Sequence, residues 1–410
     1  MRFKWRLPAL RHDPRIYGKT GRTFSNAVQS TSSLPTRTSP TVPLLVEICK
    51  REHQNEMTLL DNALDRDYRN IERDHERLTQ QHIGLITKIT ESCLNPDKTA
   101  LVLYGSTSFG LSSDLSDIDC SIFIKSKDER LGFNQACRQN QELALMRRHS
   151  KEILGKTVSS VVSLHYIQHP LLVVNFDDGS KMDLTLLNES FQNIRNSNLV
   201  RYYLKADRRL GQMAIYIRRW FEECGLKNSK AGLFNGYHIL LTLIHFLQSE
   251  QALTPWQVLP VLCQTHPSLV SGQLPIEQVI EQMKIPVNSL KLDYKSHNTM
   301  SVSELLVRYF EFYSQFNFKR DRIYIEKGQA RRSSRKYAGE APLQLIDPYS
   351  NETVTRSIYL PMAFGDAVRF TCAKMKNGLL FSSYPTFPEA KLFENGTKFA
   401  RWRMQINTRK

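Results

Sequence analysis

At 410 residues and 41% hydrophobic content, the chain can bury a sizeable core, organised most simply as two domains. Its formal net charge of +16 calls for a polyanionic partner, either nucleic acid or an acidic membrane surface. No apolar run approaches the ~20 residues of a membrane-spanning helix, and seven scattered cysteines without a CxxC spacing read as free thiols of a reducing compartment, not as a disulfide framework or zinc knuckle.

Residues 1–45 hold eight Lys/Arg and one acid, Asp13, with Ser, Thr and Pro frequent toward the end. This composition reads as a disordered basic segment that helps hold RNA. The alternative is a mitochondrial presequence, which is also rich in Arg and Ser and poor in acids, although Pro8 interrupts a long amphipathic helix. Residues 46–90 form a helical lead-in, with apolar positions at Leu59, Leu60, Leu64, Ile71, Leu78, Ile83 and Ile86.

The stretch Leu101–Lys125, LVLYGSTSFGLSSDLSDIDCSIFIK, carries the chemistry. Leu101–Tyr104 reads as a buried strand broken by Gly105-Ser106, and Cys120–Ile124 as a second strand. Between them, Asp117 and Asp119 stand one residue apart, so strand alternation points both toward one metal ion or cationic group. A Gly-Ser turn can offer backbone N–H groups and a hydroxyl to phosphate oxygens. A lone D-x-D is more often a pair of solvated turn acids, but a third acid strengthens the chemical reading. Asp183 lies in a strand from Met182 to Leu187, hairpin-paired with Leu171–Phe176 through Asp177-Asp178-Gly179. A carboxylate inside so apolar a run needs a partner, which metal ions shared with Asp117 and Asp119 supply. Three acids beside a phosphate cradle indicate metal-assisted phosphoryl or nucleotidyl transfer.

Asp128–Ile153 reads as a polar helix, and Val158–Tyr166 as a further strand completing a small mixed sheet. The pattern is helical from Asn188 through Gln248. Leu210, Met213, Ile217 and Trp220 mark a core face, and Arg208, Arg209, Arg218 and Arg219 a solvated one. Glu326–Pro342, with Lys327, Arg331, Arg332, Arg335 and Lys336, reads as a mobile linker able to hold RNA phosphates. Ser333 and Ser334 stand there as weak phosphorylation candidates. The segment 376–410 is a basic tail ending in KFARWRMQINTRK, and its Asn395-Gly-Thr sequon has no role in a reducing compartment.

GS(x)9SDIDC followed by MDLTLLN resembles the nucleotidyltransferase core of the DNA polymerase β superfamily. More narrowly, it is similar to the template-independent poly(A) polymerases and terminal uridylyltransferases that extend RNA 3′ ends. NSNLVRYYLKADRRLGQMAIYIRRW resembles that family's Asn-Thr segment and its triphosphate-binding helix. GLFNGYHILLTLIHFLQ resembles its Gly-x-x-Ser-Ser-Tyr helix. VLPVLCQ and NTMSVSELLVRYFEFYSQFNFKRDRIYIEKG resemble the poly(A)-polymerase-associated domain, and IDPYSNETVTRSI its Asp-Pro-Phe nucleotide loop. The match runs from about Thr58 to Ser357, in family order.

The resemblance implies an α+β fold in which a small mixed-sheet nucleotidyltransferase domain (91–200) faces a mainly helical domain (201–375) across an active-site cleft. It implies two Mg²⁺ or Mn²⁺ ions on Asp117, Asp119 and Asp183, with an incoming NTP attacked by an RNA 3′-hydroxyl and pyrophosphate released. Gly105 and Ser106 would position the phosphates, Asn196 the ribose, and Tyr237 and Asp347 the base. Arg218 takes the place of a triphosphate-binding lysine.

Departures from the pattern bear on this. A second such lysine would fall at Glu222, and Asn235-Gly236-Tyr237 lacks a phosphate-binding hydroxyl. Thr353 replaces a histidine that favours uracil in uridylyltransferase relatives, so adenosine or relaxed base choice is expected. No RNA-recognition module is evident, which points to an RNA-binding partner protein that supplies specificity. The compartment expected is the cytoplasm, with RNA granules or the nucleus left open, or the mitochondrial matrix if residues 1–45 are a presequence. The rival readings are a terminal uridylyltransferase, a catalytically silent RNA-binding scaffold, and a nucleotidyltransferase with a non-RNA acceptor.

Overall fold

In the computed structural model, the described residues are 44–93, 98–111, 117–128, 139, 141, 143–148, 158–164, 170–186, 191–249, 252–253, 256–318, 320–328, 331–332 and 342–378. They belong to one compact unit, Pro43–Lys410. The basic segment expected at 1–45 falls outside them except at its last two residues. Ser333, Ser334, Arg335, Lys336, the tail from 379 and Asn395 also lie outside the described residues.

The lead-in is helical, as expected: α1, Leu45–Cys93, is two helices that abut at a kink at His53, whose φ of −135° and ψ of 31° are non-helical. Met57, Leu60, Leu64 and Tyr68 recur at helical spacing and are buried, whereas Leu59 is 65% exposed. Leu59 is offset from that stripe, so it is a surface residue and not part of the core. Two acids on α1 hold other helices. Asp61 accepts from the Ser303 N–H and hydroxyl at 2.7 and 2.9 Å, and Asp65 pairs with Arg208 at 2.8 Å.

A five-stranded sheet follows, built from β1 (Thr99–Leu103), β2 (Ile118–Ile124), β3 (Val158–Leu164), β4 (Leu171–Phe176) and β5 (Lys181–Leu186) in the order β1-β2-β5-β4-β3. Only β2 and β5 pair in parallel, so the sheet is mixed, as expected. Asp177, Asp178 and Gly179 form the β4–β5 turn as anticipated. One face packs Ile118, Cys120, Ile122, Leu172, Val174 and Leu184 onto Leu143 and Met146, from the described part of the helix read over 128–153. Alternation therefore turns Asp119, Ser121 and Phe123 to the opposite face. There Val102 and Phe123 meet Phe191 and Ile194.

A single helical turn, α2 (Ser106–Phe109), lies between β1 and β2, and past the sheet the chain is helical: α3 (Gln192–Ala206), α4 (Arg209–Glu223), α5 (Gly236–Leu247), α6 (Ile276–Lys284), α7 (Val302–Gln315) and α8 (Leu360–Lys376). Trp220 of α4 sits among Phe221, Phe310 and Phe364 in edge-on contacts, with its indole N–H donating to the Thr371 hydroxyl at 2.9 Å. Arg209 does not lie on a solvated face. Its side chain is 15% exposed and bonds Asp207, Asn298 and the Met300 carbonyl. The linker read as mobile also contributes structure. Arg331–Arg332 (β7) pairs with β6 (Asp321–Tyr324), which in turn lies parallel to β8 (Leu345–Ile346). This small sheet delivers Asp347 directly after β8.

Candidate active site

Parallel pairing of β2 and β5 sets Asp119 beside Asp183 and Ser121 beside Thr185. The two acids thus share a face and one end of the sheet, the far ends of a polar ladder. Below them the Tyr104 hydroxyl lies 3.4 Å from Thr185 Oγ1, and Ser121 Oγ donates to the Thr185 carbonyl at 3.0 Å. Asp117 stands one residue ahead of β2, with its side chain 49% exposed, so it joins the pair from the strand's mouth and not from within it.

Two of the three acids, Asp117 and Asp183, share a lysine. Lys181 Nζ lies 3.2 Å from Asp117 Oδ2 and 3.4 Å from Asp183 Oδ1. Sequence had not singled it out, although it is two residues before Asp183 and therefore on the same face of β5. Among the described residues, no three His, Cys, Asp or Glu side chains stand close enough together to hold a metal ion. This differs from the expected metal cage: the carboxylates converge on an ammonium. Their chemistry still suits a hard divalent cation, because one lysine is too little charge for three acids. Burial, then the charges of Asp183 and Asp117, push the Asp119 carboxyl up to about 7 despite Lys181.

Gly105 follows β1 with φ 62°, which any side chain would strain. A Cβ there would also overlap Asp119 Oδ2, so the turn closes directly over the carboxylate. The Gly105 N–H donates to Ser197 Oγ at 2.9 Å, tying the turn to α3. Ser106 opens a single helical turn, Ser106–Phe109, beside it.

These groups form one wall of a cavity of about 1200 Å³, and the other wall is helical. Tyr104, Gly105, Ser106, Asp117 and Asp119 line the sheet side, and Asn196, Arg218, Glu222, Lys227, Gly236 and Tyr237 line the opposite side. The cleft expected between sheet and helices is thus present. Glu222, which stands where the second lysine of the pattern would fall, accepts from Arg218 Nε at 3.4 Å and from Lys227 Nζ. Burial raises its carboxyl, but the bond and charge of Lys227, then Arg218, outweigh that and leave it below the usual range. Lys227 was not legible in the sequence. It reaches the last turn of α4 because Gly225, at φ 65°, reverses the chain, and Leu226 and Phe234 bury behind it.

The base contact expected of Asp347 does not hold. Asp347 is 0% exposed. Its Oδ2 accepts from Asn196 Nδ2 at 2.7 Å and the Tyr237 hydroxyl at 3.1 Å, and its Oδ1 from the N–H groups of Tyr349 and Ser350 at 2.9 and 3.0 Å. With every lone-pair direction engaged from within, it braces the wall from behind. The Thr353 hydroxyl is likewise turned inward, donating to the Leu343 carbonyl at 3.0 Å.

No protein-family model matches the chain. Among curated relatives, it is 25% identical over 235 residues to the Caenorhabditis elegans poly(A) RNA polymerase gld-2, covering 56% of this chain and 20% of that protein. It is 24% identical over 278 residues to the Xenopus laevis poly(A) RNA polymerase GLD2-A, covering 66% and 50%. The chain thus spans half or less of the length of these two relatives. Its fold matches solved structures of a GLD-2/RNP-8 complex (TM-score 0.62, 22% identity, 79% of this chain and 96% of that one) and of mtPAP with ATPγS (0.57, 17%, 90% and 75%). It also matches the Cid1 poly(U) polymerase with MgGTP (0.56, 18%, 82% and 98%).

Proposed function

We infer that this chain, whose curated relatives are GLD-2 poly(A) RNA polymerases and whose fold is shared by GLD-2, mtPAP and Cid1, adds nucleotides to RNA 3′ ends without a template. The observation that carries the reading is the pairing of the two cavity walls. Asp117 and Asp119 line the sheet side, where Asp117 and Asp183 share the Lys181 ammonium, and a cationic and hydrogen-bonding wall faces them.

Asp117, Asp119 and Asp183 would hold the divalent ions, Mg²⁺ or Mn²⁺, with Lys181 giving way. Bound there, such ions supply charge neutralisation at the triphosphate and activation of the 3′-hydroxyl. Arg218 and Lys227 grip the triphosphate, and Gly105 and Ser106 border it. The RNA 3′-oxygen bonds to the α-phosphorus as the bond to the bridging oxygen breaks, pyrophosphate departs, and the hydroxyl proton is released. Asn196 meets the ribose and Tyr237 stacks on the base. With no template strand, base choice rests on the protein, and the turned-in Thr353 leaves adenosine as the preferred addition.

A partner protein supplies RNA choice, in keeping with the GLD-2/RNP-8 and GLD-2/GLD-3 structures that share this fold. Among the described residues no helix is long and apolar enough to cross a membrane. We assign the protein to the cytoplasm, with the mitochondrial matrix as the alternative if residues 1–45 prove to be a presequence.

Purified protein incubated with a short RNA and each NTP separately, with Mg²⁺ or with EDTA, tests this. ATP-dependent lengthening that EDTA abolishes is expected. Strong UTP and weak ATP incorporation would overturn the base preference, and no lengthening with any NTP would overturn the activity.

A further inference from the structure

The direction of Lys181 is decided by the strand it begins. Met182, Leu184 and Leu186 alternate into the core under the sheet, so Lys181 shares the opposite face of β5 with Asp183 and Thr185. Its backbone is pinned. Lys181 pairs with Asn175 across the hairpin, and Ser180 just before it donates to Asp178 Oδ1 through its N–H and hydroxyl at 2.8 and 2.6 Å. The parallel register that sets Ile118 beside Met182 and Asp119 beside Asp183 brings Asp117 level with Lys181. The lysine side chain is turned onto the acids: its Nζ lies 3.2 Å from Asp117 Oδ2 and 3.4 Å from Asp183 Oδ1, and that Asp183 oxygen is buried. Exposed ion pairs usually contribute little. This one differs in that its two acids come from either end of a strand pairing and are two of the three assigned to divalent ions.

We propose that Lys181 is a built-in competitor for the divalent ion: its ammonium takes oxygens of Asp117 and Asp183 that the ion needs, so metal binds by exchange with it and at an affinity the lysine sets. This rests on the nucleotidyl-transfer reading, which gives these acids to Mg²⁺ or Mn²⁺, and deepens it. A magnesium ion sits about 2.0–2.1 Å from a ligand oxygen. An ammonium kept on the same oxygens would face a double positive charge at a separation where the two repel strongly. Lys181 is able to leave, since its side chain is 37% exposed and its stem is flexible. Asp119 has a different neighbour, the Gly105 turn that closes over its Oδ2. The lysine therefore lowers metal affinity, and it relieves the repulsion between the acids when no ion is bound.

Exchange is read from metal binding itself, apart from activity. The full chain, treated with EDTA and dialysed, is titrated with Mn²⁺ while the free ion is followed by electron paramagnetic resonance. Wild type is compared with Lys181→Met, Lys181→Gln and Lys181→Arg. Removing the charge, in the Met and Gln variants, should tighten Mn²⁺ binding about tenfold. The Arg variant keeps the charge and should stay near wild type. Linkage adds a second readout: if the ion displaces the lysine, the affinity gained equals the stability lost without the ion. The two neutral variants should thus melt below wild type in EDTA, and saturating Mn²⁺ should close the gap. Adding Asp183→Ala to Lys181→Met should remove the tight binding and so locate it at these acids.

Mn²⁺ binding that is unchanged or weaker in both neutral variants would overturn the proposal and leave Lys181 a surface ion pair or a support of the site. An Arg variant that binds as tightly as the Met variant would also overturn it, since charge would not be the cause. In either case the wild type still extends RNA with ATP and Mg²⁺, so the activity stands. Failure of the wild type and every variant to bind Mn²⁺ would remove the metal from these acids, and this inference with it.

Discussion

The two walls of the cavity handle charge in opposite ways. On the sheet side, Asp117 and Asp183 share one ammonium, and burial together with like charge lifts Asp119 to about 7. On the helical side nearly everything is balanced from within: Glu222 sits between Arg218 and Lys227, and Asp347 is held by four donors. Under the proposed function, cations from solution would complete the sheet side. The helical side is preorganised, and a ligand must displace an internal partner, as at Glu222.

The sharpest way to break this contrast is to remove acids from the sheet side. Asp119→Ala or Asp183→Ala should lower nucleotide addition by about 10³-fold or more, on the order of 4 kcal/mol of transition-state stabilisation, in a primer-extension assay. Thermal stability without divalent ions should not fall, because each change relieves repulsion. Mg²⁺ should raise the melting temperature of the wild type and not of these variants. A variant that melts far below the wild type would mean that the acids are structural.

Next in size is Gly105→Ala, which adds backbone strain at φ 62° and an overlap with Asp119. A roughly 100-fold loss of kcat with a modest fall in melting temperature is expected. Normal kcat would show that the turn does not set the carboxylate.

The helical body can be probed with protons. Burial depresses the pKa of His245 to about 3, and its Nδ1 lies 3.0 Å from the Tyr313 hydroxyl in the core. Between pH 3 and about 6.5 the unfolded chain binds a proton there that the folded chain refuses. The neutral ring's contribution is therefore complete above about 6.5 and lost as pH falls toward 3. At pH 5 this amounts to about 2 kcal/mol relative to pH 7. Denaturant melts at the two pH values should show that much less acid sensitivity in His245→Phe than in the wild type. Equal sensitivity would exclude His245 as the source.

The smallest effects, and the most telling in sign, lie at Glu222. Lys227→Ala should raise the KM for ATP about tenfold, the scale of one charge-assisted bond, while Glu222→Gln should lower it several-fold by freeing both cations. If both variants raise KM, Glu222 is a positioning group and not a competitor.

These walls also differ in how much of them the sequence exposes. Asp119 and Asp183 were legible because strand alternation and a short-range pattern decide their direction. Lys181 could have been found by the same rule, and Ser197 by its place directly after Asn196. Lys227 could not, since its position depends on a chain reversal at Gly225. Asp347 looked like a ligand contact in its motif, and only the meeting of three distant segments, at residues 196, 237 and 347, shows it buried behind the wall. Mixed-sheet topology and helical spacing were readable from periodicity. The kink at His53 that joins the two lead-in helices was not, nor were their partners at Arg208 and Ser303, which lie far along the chain.

The most direct measurement compares the wild type with Asp183→Ala on the same unpaired RNA primer, with ATP and Mg²⁺ and no template, followed by sequencing of the 3′ ends. Untemplated adenosine on wild-type products and unextended primer with the variant would agree with this account. Tails of equal length from both proteins, or none from the wild type, would contradict it.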